Sequence, residues 1–130
     1  MSKFIFWTIR IIPALIMLQT LRYKFTAHPE SIYIFSTIAG AKYESYIRIG
    51  TGIIELIAGF LLLYPKTSVF GALLGAGTMS GAILSHLFIL GINVQNDNGF
   101  LFFLAVTCFI FCSIILFQNR LYLFSFLKSR

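Results

Sequence analysis

The chain has 130 residues, of which 58% are hydrophobic and 11% are charged, and its formal net charge is +6. Soluble domains carry about 25% charged residues, so this chain has too little polar surface to cover a globule in water. Its lysines and arginines stand mostly at the ends of apolar runs and form no basic patch of the kind that binds nucleic acid. The composition predicts an integral membrane protein in a lipid bilayer and excludes a nucleic-acid-binding domain.

The first apolar run, residues 4–21, resembles a signal peptide because Lys3 precedes it. The run also contains Arg10 and Pro13, and no A-x-A cleavage site occurs before Arg22. We therefore predict a retained first membrane span that is kinked at Pro13. Arg10 either snorkels to the membrane surface or faces the other helices.

A long connection, RYKFTAHPESIYIFSTIAGAKYES, follows this span. It is too long for a simple turn and too apolar for a free loop. Pro29 suits the first turn of a helix, and Gly40 suits the end of one. Four apolar residues recur between them at helical spacing: Ile32, Phe35, Ile38 and Ala39. The pattern predicts a short amphipathic helix over residues 29–40, at the membrane interface or in the mouth of the helical bundle.

Three further apolar runs have about the 20 residues that a helix needs to cross a bilayer. They cover residues 46–64, 68–91 and 99–118. Each is predicted to be a helix, because backbone polar groups in lipid must be paired within their own segment. Short connections after the second and third spans make those neighbours antiparallel. The predicted fold class is all-α: one transmembrane domain over residues 1–130, an integral membrane four-helix bundle with the amphipathic segment between its first two spans.

The cations that flank the spans indicate the orientation. With the N-terminus in the cytoplasm, the cytoplasmic side holds Lys3, Lys66, Arg120, Lys128 and Arg130. The opposite side then holds Arg22, Lys24, Lys42 and Arg48. The small excess of cations on the first side favours both termini in the cytoplasm.

Two cysteines, Cys108 and Cys112, lie on one face of the last span. Their spacing is neither a C-x-x-C redox motif nor a zinc-binding pattern. We predict that they are small packing residues, with a redox or ligand role as the alternative.

The second span, within RIGTGIIELIAGFLLLYP, contains a carboxylate, Glu55. A charge at the bilayer centre costs roughly 2.5–3.5 kcal/mol on insertion scales. On a helix, Arg48, Gly52, Glu55 and Gly59 share one face. Glycines allow close approach of a neighbouring membrane helix. Glu55 is therefore predicted to point at another helix.

His86, near the end of the third span, is the predicted neighbour of Glu55. It shares a helix stripe with small or flexible residues: Gly71, Gly75, Met79 and Ala82. Measured from the same membrane face, Glu55 lies about 13 Å deep and His86 about 8 Å deep at 1.5 Å per residue. The two side chains are thus expected to share a polar pocket at that face. The alternative is structural: Glu55 is protonated, or it pairs with Arg48 or His86 to set the helix register.

Glu55, His86 and Arg48 are the candidate ligand-binding or proton-handling residues, because ionisable residues inside membranes commonly serve function. The same end of the chain supplies secondary candidates: Lys24, His28, Gln95 and Asp97. Arg48 is alternatively an interfacial anchor, His28 a surface or capping residue, and Asp97 a residue that shapes its turn. No residue is assigned a catalytic role or a metal.

Three segments, LRYKFTAHPES, RIGTGIIELIAGFLLLYP and GALLGAGTMSGAILSHL, together with the polar turn and the last span, resemble the DoxX family over nearly the whole chain. The most specific part is G-x-x-E-L-x-x-G-x-x-L-L, from Gly52 to Leu63, with His86 following in SHL. The resemblance implies a small four-helix protein of the bacterial inner membrane. The family is named after subunits of archaeal quinone-linked sulfur oxidation, and some relatives associate with redox enzymes. Distant eukaryotic relatives include membrane chaperones and cargo receptors, so the fold alone does not establish the chemistry.

The first functional hypothesis is a quinone-linked subunit of a membrane oxidoreductase system, with no covalently bound cofactor. His86 and Glu55 would hydrogen-bond the quinone headgroup and carry its proton. No haem, flavin or iron–sulfur motif occurs in the sequence, so a redox partner protein would supply electrons and the chain alone would not be an enzyme. The alternatives are a lipophilic-ligand-binding or assembly protein without catalytic activity, and a transporter, for which four spans would require a homodimer.

Overall fold

The computed structural model describes residues 2–26, 29–92, 99–122 and 125. Within these residues the protein is all-helical, as predicted. The α-helices are α1 (Lys3–Gln19), α2 (Leu21–Phe25), α3 (Pro29–Ala39), α4 (Glu44–Leu63), α5 (Ser68–Ser85) and α6 (Phe100–Gln118). A 3-10 turn, Pro65–Thr67, joins α4 to α5, and a π-helical turn, His86–Leu90, continues α5.

Four helical stretches are long and apolar enough to cross a membrane, which confirms the prediction of a multi-pass membrane protein. They are Lys3–Phe25, Glu44–Leu63, Pro65–Leu90 and Phe100–Gln118. The first of them continues past the predicted end of the first span, because α2 follows α1 after a single residue, Thr20. Lys24 therefore lies in the helical extension of the first span and not in a loop.

The N-terminal helix begins and continues as its sequence dictates. The hydroxyl of Ser2 accepts a hydrogen bond of 3.2 Å from the backbone N–H of Ile5, which caps α1. Although Pro13 has no backbone N–H to donate, α1 continues through it to Gln19. The side chain of Pro13 is fully buried among the other helices.

Each spanning helix packs against two others: α1 against α4 and α6, and α5 against α4 and α6. Buried apolar residues, many of them small, fill the space between them: Ala14, Met17, Ala58, Leu62, Ala72, Met79, Ala105, Cys108, Cys112 and Ile115. Helices α4 and α5 approach each other closely near their connecting turn. A Cβ added to Gly71 would lie 2.6 Å from the backbone nitrogen of Leu62, so glycine is what allows this approach.

Helices α2 and α3 lie at the opposite end of α4 from that turn. Helix α3 packs on α4 and on the π turn, and α2 packs on α4. Ser31 and Phe35 are buried, whereas Ile32 is exposed. The face of α3 that packs inward is thus centred on Ser31 and Phe35.

Arg10 is buried, with 4% of its surface exposed, so of the two alternatives it faces the other helices. Its Nε donates to the hydroxyl of Ser68 at 3.1 Å, and its Nη1 donates to the carbonyl of Phe6 at 3.1 Å. The guanidinium also lies 3.7 Å from the centroid of the Phe6 ring. These contacts join the first and third spans at the end of the protein away from α3.

Candidate functional site

A cavity of about 750 Å³ lies between the spanning helices at the end covered by α3. Small-molecule sites in proteins typically measure about 300–1,000 Å³, so the volume suits a ligand of that class. All four spans and α3 contribute to its wall. Most of the wall is apolar, including Ile34, Phe35 and Ile38 of α3, Met79 of α5, and Leu101 and Leu104 of α6.

A buried ion pair forms the polar part of the wall. Lys24 Nζ lies 3.0 Å from Glu55 Oε1, and the two side chains are 13% and 4% exposed. The same ammonium donates to the hydroxyl of Thr20 at 2.9 Å. The Thr20 hydroxyl itself donates to the carbonyl of Met17 at 2.8 Å. Because Thr20 and Lys24 are four residues apart on a helix, the hydroxyl can hold the ammonium beside Glu55.

Gly52 and Arg48 hold Lys24 in this position. A Cβ on Gly52 would lie 2.8 Å from Cε1 of Phe25, so the glycine lets the residue after Lys24 pack directly on α4. Arg48 Nη1 donates to the backbone carbonyl of Lys24, and Arg48 Nε donates to the carboxylate of Glu44. Arg48 is buried but does not line the cavity. It contacts the backbone of Lys24 from behind the cavity wall.

His86 lines the same cavity from the third span and is 6% exposed. Its Nδ1–H donates to the carbonyl of Gly91 at 3.0 Å, since a carbonyl can only accept. The imidazole also contacts the ring of Phe102 edge-to-face, with centroids 5.7 Å apart. Gly91 has φ 80° and ψ 166°, a conformation that is essentially restricted to glycine. The glycine at the end of the span thus fixes the orientation of the histidine.

In the structure, the partner of Glu55 is neither of the two predicted from the sequence, Arg48 and His86. In the described part of the chain Glu55 pairs with Lys24, and it forms no ion pair with His86 or Arg48. The reason is the direction of its helix face. Gly52 and Gly59 on that face contact Phe25 and Leu18 of the first span, so Glu55 points at the first span and not at the third.

Three of the seven candidate residues, Glu55, His86 and Lys24, therefore lie on one cavity wall, and Arg48 lies behind it. Three others, His28, Gln95 and Asp97, fall outside the residues that the structure describes. Thr20 was not among the residues predicted from the sequence. A first span extended to include Lys24 would have indicated Thr20, because the two residues are four apart on one helix face.

The cysteines belong to the core and not to the cavity. Cys108 and Cys112 are free thiols with no exposed surface, and Cys112 Sγ lies 2.8 Å from where a Cβ on Gly75 would stand. Among the residues described by the structure, no three His, Cys, Asp or Glu side chains are grouped closely enough to hold a metal ion.

Comparison with known proteins finds no matching family model, no matching curated protein and no matching solved structure. The functional inference therefore rests on the cavity and its residues.

Proposed function

We propose that this protein binds a lipophilic molecule with an oxygen-bearing headgroup, a quinone in the first instance, as a subunit of a membrane oxidoreductase system. The four spans form a bundle in the bilayer, and α3 is an amphipathic helix that covers one end. One observation carries the proposal: the buried Lys24–Glu55 pair faces a cavity of about 750 Å³ whose other walls are mostly apolar. Sites for small lipophilic ligands share this combination of an apolar enclosure and a few convergent polar groups.

The polar groups fit a quinone headgroup. Its carbonyl oxygens accept hydrogen bonds, and Lys24 has three N–H donors, of which Thr20 and Glu55 occupy two. The third N–H of Lys24 is a donor for a carbonyl. The Glu55 carboxylate is an acceptor for the hydroxyl of a reduced headgroup. His86, whose Nδ1–H is held by Gly91, can offer Nε2 as a second acceptor in its neutral form.

The ion pair is better explained by a ligand than by helix register alone. Removing two charges from water costs several kcal/mol per ion, which their attraction offsets only when the geometry is good and the remaining donors and acceptors are satisfied. A purely structural pair would be enclosed by packed side chains. Here both members line an open volume, where a bound headgroup would complete their hydrogen bonds.

A bound quinone supplies two-electron, two-proton chemistry. Glu55, Lys24 and His86 are the groups on the wall that can hold or move a proton at the headgroup. The electrons would come from a redox partner protein, since the sequence carries no haem, flavin or iron–sulfur motif. We therefore infer a quinone-binding subunit that is not an enzyme by itself. The resemblance to DoxX proteins supports this inference and a location in a bacterial inner membrane.

Mass spectrometry of lipophilic molecules extracted from detergent-purified protein tests the proposal. Wild type is compared with Glu55→Gln and His86→Ala, and Thr8→Val is the control, because the Thr8 hydroxyl bonds only within its own helix and Thr8 does not line the cavity. We expect a stoichiometric quinone in wild type and in Thr8→Val. Glu55→Gln and His86→Ala should lose most of it while eluting as folded protein.

The other outcomes separate the alternatives. A stoichiometric lipid other than a quinone, lost in the same two variants, would replace the redox role with a lipophilic-ligand-binding or assembly role. A wild-type protein without any specific molecule, which also fails to bind added quinone, would contradict a ligand role for the cavity.

A further inference from the structure

The cavity wall continues onto the outer surface of the protein between α4 and α5. We call this part of the wall the α4–α5 gap; it consists of Ile47, Thr51, Ile54, Gly77, Thr78, Gly81 and Ser85. Ile47 is 44% exposed and Ile54 is 43% exposed, although both line the cavity that also contains the buried Glu55. Gly77 and Gly81 are exposed as well. One continuous wall thus connects the ion pair to the surface that faces lipid.

The glycines of α5 differ in how much space surrounds them. Near the turn, a Cβ on Gly71 would lie 2.8 Å from the carbonyl oxygen of Ala58. Further along α5, a Cβ on Gly77 or Gly81 would meet no atom within 4 Å. Gly71 therefore packs against α4, whereas Gly77 and Gly81 leave open space beside the cavity.

We infer that the α4–α5 gap is a lateral portal, through which the apolar tail of the bound molecule passes into the hydrocarbon core while its headgroup lies against Lys24 and Glu55. The inference rests on the proposed function and names the ligand class: a single headgroup with one long apolar tail, dissolved in the bilayer. An enclosed cavity of about 750 Å³ holds a drug-sized molecule, so a tail of membrane length must leave it.

The chemistry of the gap suits a tail and not a second headgroup. The hydroxyls of Thr78 and Ser85 donate to carbonyls of their own helix, Leu74 and Gly81, both at 2.8 Å. Their hydroxyl protons are thus already used, and the opposite side consists of two isoleucines and Thr51. The alternative route, past α3, is covered by the apolar side chains of Phe35 and Ile38. The geometry therefore directs the tail sideways into lipid.

Equilibrium binding of two probes tests the portal. One probe is decyl-ubiquinone, and the other is its headgroup without a tail, 2,3-dimethoxy-5-methyl-1,4-benzoquinone. Both are titrated into wild type, Gly77→Leu and Gly81→Leu in lipid nanodiscs. Gly50→Leu is the matched control, since a Cβ on Gly50 also meets nothing within 4 Å but Gly50 does not line the cavity. A graded variant, Gly81→Ala, and the elution profile of each protein show whether a loss of binding reflects misfolding.

We expect Gly81→Leu and Gly77→Leu to weaken decyl-ubiquinone binding by about tenfold or more, the equivalent of at least 1.4 kcal/mol, and to leave the tail-less probe within about twofold of wild type. Gly50→Leu should change neither affinity. Wild-type affinity for both probes in the leucine variants would overturn the portal while leaving the proposed function intact. Equal loss of both probes in folded leucine variants would also overturn it, because the headgroup and not the tail would then occupy the gap. Failure of wild type to bind either probe would overturn the proposed function and, with it, the portal.

Discussion

The ion pair Lys24–Glu55 explains how a carboxylate is kept in the middle of a membrane span. The cost of a lone charge there is offset by an ammonium at 3.0 Å, which also donates to the hydroxyl of Thr20. A second pair, Glu44–Arg48, holds the backbone of Lys24 from behind. Two carboxylates and two cations thus balance each other around the cavity wall.

At the residue scale, we predict that replacements of Lys24 and of Glu55 have strongly non-additive effects on the stability of the protein. Lys24→Met alone leaves Glu55 buried without a cation, and it should destabilise the protein by roughly 3–5 kcal/mol. The double variant Lys24→Met, Glu55→Met removes both charges and should recover most of that loss, because similar-sized apolar residues fill the same space. Thermal unfolding in detergent, followed by size-exclusion chromatography, measures both. Additive losses in the double variant would contradict direct pairing.

At the scale of elements, the glycines of α5 carry the packing of the third span. The stripe of Gly71, Gly75 and Met79 is buried, and Gly71 lies against the backbone of α4. The side chain of a nearby residue could rotate away from an added methyl group, but backbone cannot. Close approach of α4 and α5 therefore depends on the absence of a side chain at this position.

We predict that Gly71→Ala destabilises the protein by about 1–3 kcal/mol, because the added Cβ forces two helices apart. Gly77→Ala is the control. It places the same methyl group on the same helix, where nothing lies within 4 Å, and it should change stability by less than about 0.5 kcal/mol. The comparison is made by thermal unfolding of both variants in one detergent. Equal stability of the two would show that α4 and α5 pack differently from the structure.

At the scale of the whole molecule, the net charge is carried by one end. The end with the N-terminus, the α4–α5 turn and the C-terminal tail has six cations and no acidic residue: Lys3, Arg10, Lys66, Arg120, Lys128 and Arg130. The end with the cavity has four cations, Arg22, Lys24, Lys42 and Arg48, and all four acidic residues, Glu30, Glu44, Glu55 and Asp97. In the described part of the cavity end, two of the cations are in ion pairs. By sequence, the formal charge is thus +6 at the end with the termini and zero at the cavity end.

We predict that both termini lie in the cytoplasm, because the loops with excess Lys and Arg remain on that side. A C-terminal green fluorescent protein should fluoresce in a bacterial host, and a C-terminal alkaline phosphatase, which needs disulfides, should be inactive. Replacing Lys3 and Lys66 by Gln should raise the phosphatase signal, whereas Arg22→Gln and Lys42→Gln should not. An active phosphatase on the wild-type chain would reverse the orientation and place the cavity on the cytoplasmic side.

The sequence by itself determined the environment of this protein and its number of spans, because hydropathy and helix length are local properties of 20 or so consecutive residues. It also placed Glu55 on an inward helix face, since that follows from the periodicity of one helix. The partner of Glu55 was decided by tertiary structure. Which neighbouring helix a face meets depends on the close contacts at Gly52, Gly59 and Gly71, and these turn Glu55 towards Lys24. The α4–α5 gap was likewise decided by tertiary structure, because its residues come from two helices that no single segment of sequence brings together.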